Sequence, residues 1–146
     1  MESSTPPRDT ARAMSEENVE IVRRGFDAVA RGDLERWFGD VSAEITVYPR
    51  AEEPGVKNCY EGHEGILEYL ANWYSGWESY TVEPERFIDG GDYVVVDVRE
   101  VGVAQQSGMR VEENFAHAFK VSDGKVVEWR MFGPMREALE AAGLSE

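Results

Sequence analysis

The spacing of apolar residues predicts that the chain starts with helices. Four of them recur every three or four positions and so share one helix face: Val19, Val22, Phe26 and Val29. Ser15 is placed to cap this helix and Gly32 to close it. Asp33 then caps a second, short helix over residues 34–38. A brief strand over residues 45–48 and a polar loop over residues 50–60 follow, and we expect the loop at the mouth of a site.

A third helix is predicted over residues 64–77, because four apolar side chains form one buried stripe: Ile66, Leu70, Trp73 and Trp77. Beyond it, four segments alternate apolar and polar residues and are rich in β-branched and aromatic side chains: 80–88, 93–103, 109–121 and 125–132. Residues 89–92 and 122–125 carry hairpin-turn chemistry. The pattern therefore predicts an antiparallel meander, closed by a last helix over residues 134–142.

Length, charge and cysteine content narrow the class of protein. The 146 residues fit one domain, with residues 1–13 expected to be a disordered leader and residues 14–146 the folded part. With 15 basic and 29 acidic residues the net charge is −14, which argues against nucleic acid and membrane partners. Cys59 is the single cysteine, and no apolar stretch reaches the roughly 20 residues of a membrane span. These features predict a cytoplasmic protein.

Five short motifs point to a family: residues 17–19 (ENV), 31–34 (RGDL), 60–66 (YEGHEGI), 123–126 (DGKV) and 137–144 (EALEAAGL). Together they resemble the SnoaL-like branch of the nuclear-transport-factor-2-like (NTF2-like) superfamily, which includes ketosteroid isomerases and polyketide cyclases. The resemblance implies an α+β cone, in which a curved antiparallel sheet and three N-terminal helices enclose a hydrophobic pocket, with a short C-terminal helix added. It also implies a homodimer paired through the sheets.

The same resemblance argues against ketosteroid isomerisation itself. Those isomerases use a tyrosine on the first helix, an aspartate base near the first strand and a protonated aspartic acid on a later strand. The corresponding positions here are Gly25, Tyr48 or Pro49, and the neighbourhood of His117. Pro134 also stands where many SnoaL-like chains carry an aspartate.

The segment 109–121 holds the main catalytic candidate. Phe115, His117 and Phe119 share one face, with Glu113 further along it. If this face lines the pocket, His117 could act as acid or base with Glu113 orienting it, since imidazoles titrate near neutral pH. The alternative is a structural histidine bonded to a neighbouring strand or exposed at a dimer face, and this alternative is favoured.

Three further charged residues leave two interpretations open. Asp97 and Arg99 alternate with valines, so they either face water or a partner, which alternation favours, or form a polar substrate-binding patch in the pocket. Arg130 either pairs with Glu128 at the surface or lies opposite His117 and binds a ligand oxygen.

Aromatic residues are expected to form the pocket wall and together to suit a flat apolar ligand, whereas for any single one of them plain core packing is favoured: Trp37, Tyr48, Tyr69, Trp73, Trp77 and Phe119. Tyr48, Tyr69 or Arg130 could polarise a substrate oxygen. The histidines and Cys59 form no metal motif, and no phosphate-binding loop occurs, so we expect no metal and no cofactor.

These observations predict a protein that binds a small apolar, carbonyl-bearing or polycyclic molecule. If it is an enzyme, cofactor-free isomerase, cyclase or dehydratase chemistry is expected. The alternative is a non-catalytic ligand carrier or a dimeric interaction module.

Overall fold

Four helices and six strands make up the residues that the computed structural model describes, which are 8–50, 53 and 55–143, with side chains from Ser15 onward. Their order is α1 (Arg8–Ala30), α2 (Leu34–Phe38), β1 (Val41–Tyr48), β2 (Tyr60–Glu61), α3 (Gly62–Tyr74), β3 (Trp77–Gly90), β4 (Tyr93–Ala104), β5 (Arg110–Ser122), β6 (Lys125–Phe132) and α4 (Met135–Ala141). No helix in these ranges is both long enough and apolar enough to cross a bilayer.

The six strands form one curved sheet in the order β2-β1-β6-β5-β4-β3. Strands β3 to β6 are the predicted antiparallel meander. Strand β1 lies beside β6 and runs parallel to it, while the two-residue β2 pairs antiparallel with β1. The α+β fold expected from the sequence is therefore confirmed, with one parallel strand pair added.

The two faces of the sheet have different coverings. Helices α1 and α3 pack over the inner face, where the main core contains Val94, Val96 and Val98 of β4. Helix α4 packs on the outer face, where Ala138 and Leu139 contact a second, smaller apolar cluster. Because side chains alternate along a strand, the register of β4 and β5 decides which residues reach the inner face.

Local sequence signals explain several boundaries. The side chain of Asp33 accepts a hydrogen bond from the backbone N–H of Arg36 at 3.1 Å, which caps α2 as predicted. In the β5–β6 turn Asp123 and Gly124 have φ values of 51° and 76°. This is the backbone that a two-residue hairpin turn requires, and aspartate and glycine tolerate it best.

Other boundaries differ from the prediction. Helix α1 begins at Arg8 and runs through Ser15, so residues 8–13 are helical, whereas residues 1–7 lie outside the described part. Helix α3 ends at Tyr74, and Trp77 starts β3 instead of extending the helix. Gly76 lies between the two elements, and glycine is a poor helix former.

Candidate functional site

An aromatic cavity lies between the inner face of the sheet and helices α1, α2 and α3. Its volume is about 80 Å³. Its lining is mostly apolar and aromatic: Val22, Gly25, Phe26, Val29, Trp37, Tyr69, Leu70, Trp73, Tyr74, Tyr80, Val82, Glu100, His117, Phe119, Val126 and Trp129. Sites for drug-sized ligands hold about 300–1,000 Å³. The inner cavity therefore fits a small ligand, or one part of a larger ligand.

Two larger spaces adjoin this inner cavity. The first, which we call the outer chamber, has a volume of about 280 Å³ and is lined by Arg50, Trp73, Trp77, Tyr80, Glu100, Gly102, Val111, Glu113 and Phe115. The second is a surface groove of about 550 Å³ between α1, α3 and β3. Tyr80 lines all three spaces, whereas Glu100 lines the inner cavity and the outer chamber. These two side chains therefore stand where the spaces meet.

His117 is buried on β5 with hydrogen bonds at both ring nitrogens. Its Nδ1 accepts from the indole N–H of Trp129 at 2.9 Å, and its Nε2 lies 2.9 Å from Oε2 of Glu100. An indole nitrogen can only donate, so Nδ1 must be unprotonated. His117 is therefore the neutral Nε2–H tautomer, and it donates to Glu100.

Glu100 is the charged group of the inner cavity, with a residue exposure of only 9%. Its two carboxylate oxygens accept hydrogen bonds from His117 and from the hydroxyl of Tyr80. Burial raises the pKa of Glu100, but these bonds and the positive charge of Arg50 outweigh burial and hold the pKa below its ordinary value. Glu100 is therefore an ionised carboxylate among aromatic rings. Burial and this carboxylate raise the pKa of the Tyr80 hydroxyl, which stays a donor.

A second buried carboxylate lies next to the first. Glu53, 8% exposed, accepts a hydrogen bond from the Tyr69 hydroxyl at 2.9 Å and from the backbone N–H of Arg50 at 2.8 Å. Burial, followed by the charge of Glu53, raises the pKa of Tyr69. Arg50, Glu53, Tyr69, Glu100 and His117 border one narrow gap between the two carboxylates. The polar groups of the site therefore form one cluster at one side of the aromatic cavity.

A family comparison identifies the chain. The model of the SnoaL-like domain family matches residues 22–129. The chain belongs to this family. No curated protein matches the SnoaL-like chain in sequence.

Solved structures share the fold. TerC, co-crystallized with polyporic acid, is 21% identical over 87% of this chain and 98% of its own, with a TM-score of 0.71. A proposed SnoaL-like polyketide cyclase from Jannaschia sp. CCS1 is 24% identical over 90% of this chain and 94% of its own, with a TM-score of 0.70. An NTF2-like protein from Burkholderia thailandensis E264 is 24% identical over 84% of this chain and 95% of its own, with a TM-score of 0.73. At these identities the likeness shows the fold alone.

The SnoaL-like fold brings eight of the predicted site residues to the inner cavity or the outer chamber. Five line the inner cavity: Trp37, Tyr69, Trp73, His117 and Phe119. Three more, Trp77, Glu113 and Phe115, line the outer chamber, which Trp73 also borders. Glu113 is exposed and lies opposite Glu100 in the β4–β5 register. The expectation that Glu113 orients His117 is corrected, because Glu100 makes that contact.

The other four predicted residues lie on the outer face. Arg99 forms ion pairs there with Glu83 at 3.0 Å and Glu112 at 2.5 Å. The carboxylate of Asp97 accepts a hydrogen bond from Asn114 at 3.1 Å. Of the two interpretations left open by alternation, the structure therefore adopts the one with the valines inside and both charges outside the pocket.

Tyr48 and Arg130 are paired with each other and not with His117. They are opposite residues of the parallel β1–β6 pair, and the Arg130 guanidinium lies 4.3 Å from the centre of the Tyr48 ring. Arg130 also donates to Glu128 at 2.7 Å. Of the two interpretations of Arg130, the structure therefore adopts the pair with Glu128, because residues 129 and 131, which flank Arg130, face the core. The expectation that Tyr48 belongs to the pocket wall is corrected, since its ring packs against Arg130 on the outer face.

Sequence reasoning missed Glu100, Tyr80 and Trp129. The sequence does contain a signal for Glu100. This residue follows Val96 and Val98 at the same spacing of two, so it is a charged residue on the strand face whose other side chains are buried valines. The signal for Trp129 is weaker, because a largely buried tryptophan on a strand is typical of any apolar core. Within the described residues, no group of three or more histidine, cysteine or acidic side chains is arranged to hold a metal ion.

Proposed function

We propose that this SnoaL-like protein binds a small apolar, carbonyl-bearing molecule in the inner cavity and catalyses a cofactor-free proton transfer, with Glu100 as the general base. One observation carries the proposal. An ionised, buried carboxylate ends an aromatic cavity and is held in place by His117 and Tyr80. A carboxylate within reach of a bound substrate is a suitable base for such a step.

In the proposed step Glu100 takes a proton from the carbon next to the substrate carbonyl. The electron pair of the broken C–H bond forms a C=C bond, and the carbonyl oxygen becomes an enolate oxygen. Return of the proton to another carbon gives isomerisation, attack of the enolate on a second carbonyl gives cyclisation, and loss of a β-hydroxyl gives dehydration. His117 acts as a positioning residue, since both its nitrogens are already bonded.

The lowered pKa of Glu100 limits the substrates from which this carboxylate can remove a proton. Lowering the pKa keeps the carboxylate ionised at neutral pH but makes it a weaker base. Such a base suits a carbon acid whose C–H is already activated, for example by two carbonyls or by a carbonyl and an aromatic ring. The aromatic lining supports the same class of ligand, because flat rings bind well between aromatic side chains.

Two neighbours of the same fold support a small organic ligand. One is the proposed polyketide cyclase from Jannaschia, and the other is TerC, which was crystallised with polyporic acid. A non-catalytic ligand carrier is the second candidate. It is favoured by the small inner cavity and by a histidine with no free ring nitrogen.

The test follows exchange of the benzylic α-hydrogens of 2-indanone for deuterium in D2O by NMR, which reports proton abstraction whatever the natural product is. Wild type should accelerate exchange, and Glu100→Gln should reduce the acceleration by about 10²- to 10⁴-fold, as for loss of a general base. Glu85→Gln makes the same charge change on the outer face, where Glu85 contacts Asn114, and should have no effect.

Binding is measured in parallel from the fluorescence of Trp37, Trp73 and Trp129, which line the inner cavity. Binding without accelerated exchange by wild type would favour the carrier over the enzyme. Equal exchange by wild type and Glu100→Gln would show that Glu100 is not the base.

A further inference from the structure

Arg50 is a basic residue that borders two of the same spaces as the proposed base. It is half-buried and follows Pro49 at the end of β1. Arg50 lines the outer chamber with Glu100, and it also borders the narrow gap that Glu100 and His117 share. Nothing in the sequence singles Arg50 out, because it lies in a polar loop.

Two contacts hold Arg50 in place. Its guanidinium lies 4.0 Å from the centre of the Phe115 ring, on β5. Its backbone N–H donates to Oε2 of Glu53 at 2.8 Å. A guanidinium stacked on an aromatic ring keeps its N–H groups available in the plane of the fork. The cation is therefore held over the Phe115 ring and by its backbone, while its guanidinium N–H groups remain able to donate to a ligand.

Arg50 and Glu100 border the same two spaces without direct ion pairing. Among the ion pairs of the described residues, with N···O distances up to 4.0 Å, none joins these two side chains. The charge of Arg50 nevertheless contributes to the lowered pKa of Glu100, so the two groups are near enough to interact. A base and a cation are thus separated by a space that a ligand atom can occupy.

We propose that Arg50 is a catalytic residue that binds the carbonyl oxygen of the substrate in the outer chamber and stabilises the negative charge that develops there. This inference rests on the proposed function. As Glu100 removes the proton, the C–H electron pair moves into the new C=C bond and the carbonyl electrons move onto oxygen. The guanidinium N–H groups then donate to that oxygen, an interaction that strengthens in the transition state.

The charges around Arg50 also select the substrate class. Glu53, Glu100 and Glu113 all border the spaces that Arg50 lines, so a permanently anionic ligand would be repelled. When Glu100 gains a proton it becomes neutral at the moment the substrate oxygen becomes negative. The net charge of the site is unchanged, and the Arg50–enolate pair replaces the Arg50–Glu100 interaction. The site therefore suits neutral ketones rather than carboxylates.

The experiment uses 4-nitrophenol as the probe, because its ionised form is coloured and its oxygen carries the acidic proton directly. The apparent pKa of the bound nitrophenol is measured by absorbance in pH titrations of the full chain. Arg50→Gln should raise this pKa by about one unit or more, because a neighbouring positive charge is lost. Glu100→Gln should lower it, because a neighbouring negative charge is lost. Arg50→Lys should restore most of the wild-type value.

Arg23→Gln is the matched control. The Arg23 guanidinium also lies over a phenylalanine, 4.3 Å from the Phe87 ring centre, but Arg23 lines none of the three spaces. It should leave the pKa of bound nitrophenol unchanged.

The outcomes separate the two proposals. If Glu100→Gln lowers the pKa of the probe and Arg50→Gln leaves it unchanged, the role of Arg50 is wrong and the proposed base stands. If neither substitution moves it, both are wrong. Failure of wild type to bind nitrophenol would also overturn the inference, since the proposed site must accept an aryl oxygen.

Discussion

Trp129 determines how His117 can act. Its indole N–H donates to Nδ1 of His117 at 2.9 Å, and its ring stacks beside the imidazole with centres 6.0 Å apart. A protonated Nδ1 would place two N–H groups against each other, so the bond excludes the imidazolium form in this geometry. The histidine therefore orients Glu100 as a neutral donor, and within this pair Glu100 carries the negative charge.

Trp129→Phe should release this constraint. Nδ1 of His117 would lose its donor, and leaving a buried acceptor unsatisfied costs about 1–3 kcal/mol of unfolding free energy. Imidazole ¹⁵N NMR should then show a mixture of the two neutral tautomers or the protonated ring, where wild type shows the Nε2–H form alone. Denaturant unfolding would measure the stability change.

Trp37→Phe is the matched control for that experiment. Trp37 is a buried indole of the same cavity, with its ring centre 5.8 Å from that of Trp129, but it makes no hydrogen bond to His117. Its replacement should lower stability through lost packing and leave the tautomer unchanged. A single Nε2–H tautomer in Trp129→Phe would contradict the role assigned to the indole.

The sequence is informative about the position of His117 and uninformative about its hydrogen-bond partners. Alternation on β5 correctly put His117 with Phe115 and Phe119, because period two is a local property. The contact with Glu100 depends on the register between β4 and β5 and on the curvature of the sheet, neither of which is local. Glu113 is near His117 in sequence, whereas Glu100 is near it in space.

Gly102 of β4 shapes the outer chamber that it lines. It lies on β4, where an added Cβ would come within 2.6 Å of the Trp77 ring and 2.8 Å of Cδ2 of Tyr80. Only a residue without a side chain lets these rings cover the strand so closely. The rings of Trp77 and Tyr80 lie 5.1 Å apart, and Tyr80 is the hydrogen-bond donor to Glu100. The glycine thus supports the position of a site residue.

Gly102→Ala should push both rings away from β4. We expect a loss of about 1–3 kcal/mol in unfolding free energy, as for other overpacked sites, and weaker binding of 2-indanone because Tyr80 leaves Glu100. Denaturant unfolding and tryptophan fluorescence titration measure the two effects.

Gly76→Ala provides the control, because an added Cβ there meets nothing within 4 Å and the backbone φ is not positive. Its stability should be unchanged or slightly raised, as for alanine at a compatible glycine position. If Gly102→Ala matched this control in stability and binding, the close approach of the rings would have no energetic consequence.

Elements were predictable where one local signal decides them. Asp33 caps α2, and Asp123 with Gly124 forms the β5–β6 turn, as their residue types indicate. The boundary between α3 and β3 near Trp77 was not predictable, because a tryptophan fits the apolar stripe of a helix as well as it fits a strand. Its place in β3 follows from pairing with Ala104, a contact far along the chain.

The outer face of the sheet is strongly polar. Its side-chain contacts join Glu83, Glu85, Asp97 and Glu112 to Arg99, Arg110 and Asn114. Helix α4 covers another part of this face. Carboxylates outnumber guanidinium groups in these contacts, and the chain as a whole carries a net charge of −14. The predicted homodimer, if it pairs through this face, must therefore bring negative charge against negative charge.

This repulsion makes the dimer prediction testable by ionic strength. Raising salt from about 0.1 M to about 1 M shortens the Debye length from about 10 Å to about 3 Å, so it should increase the dimer fraction in sedimentation velocity. Arg99→Ala removes a cation from the face and should weaken the dimer, most at low salt. Lys57→Ala removes a cation paired with Glu68 of α3, away from this face, and should have a smaller effect. A monomer mass at every salt concentration, or a dimer that weakens as salt rises, would contradict pairing through the outer face.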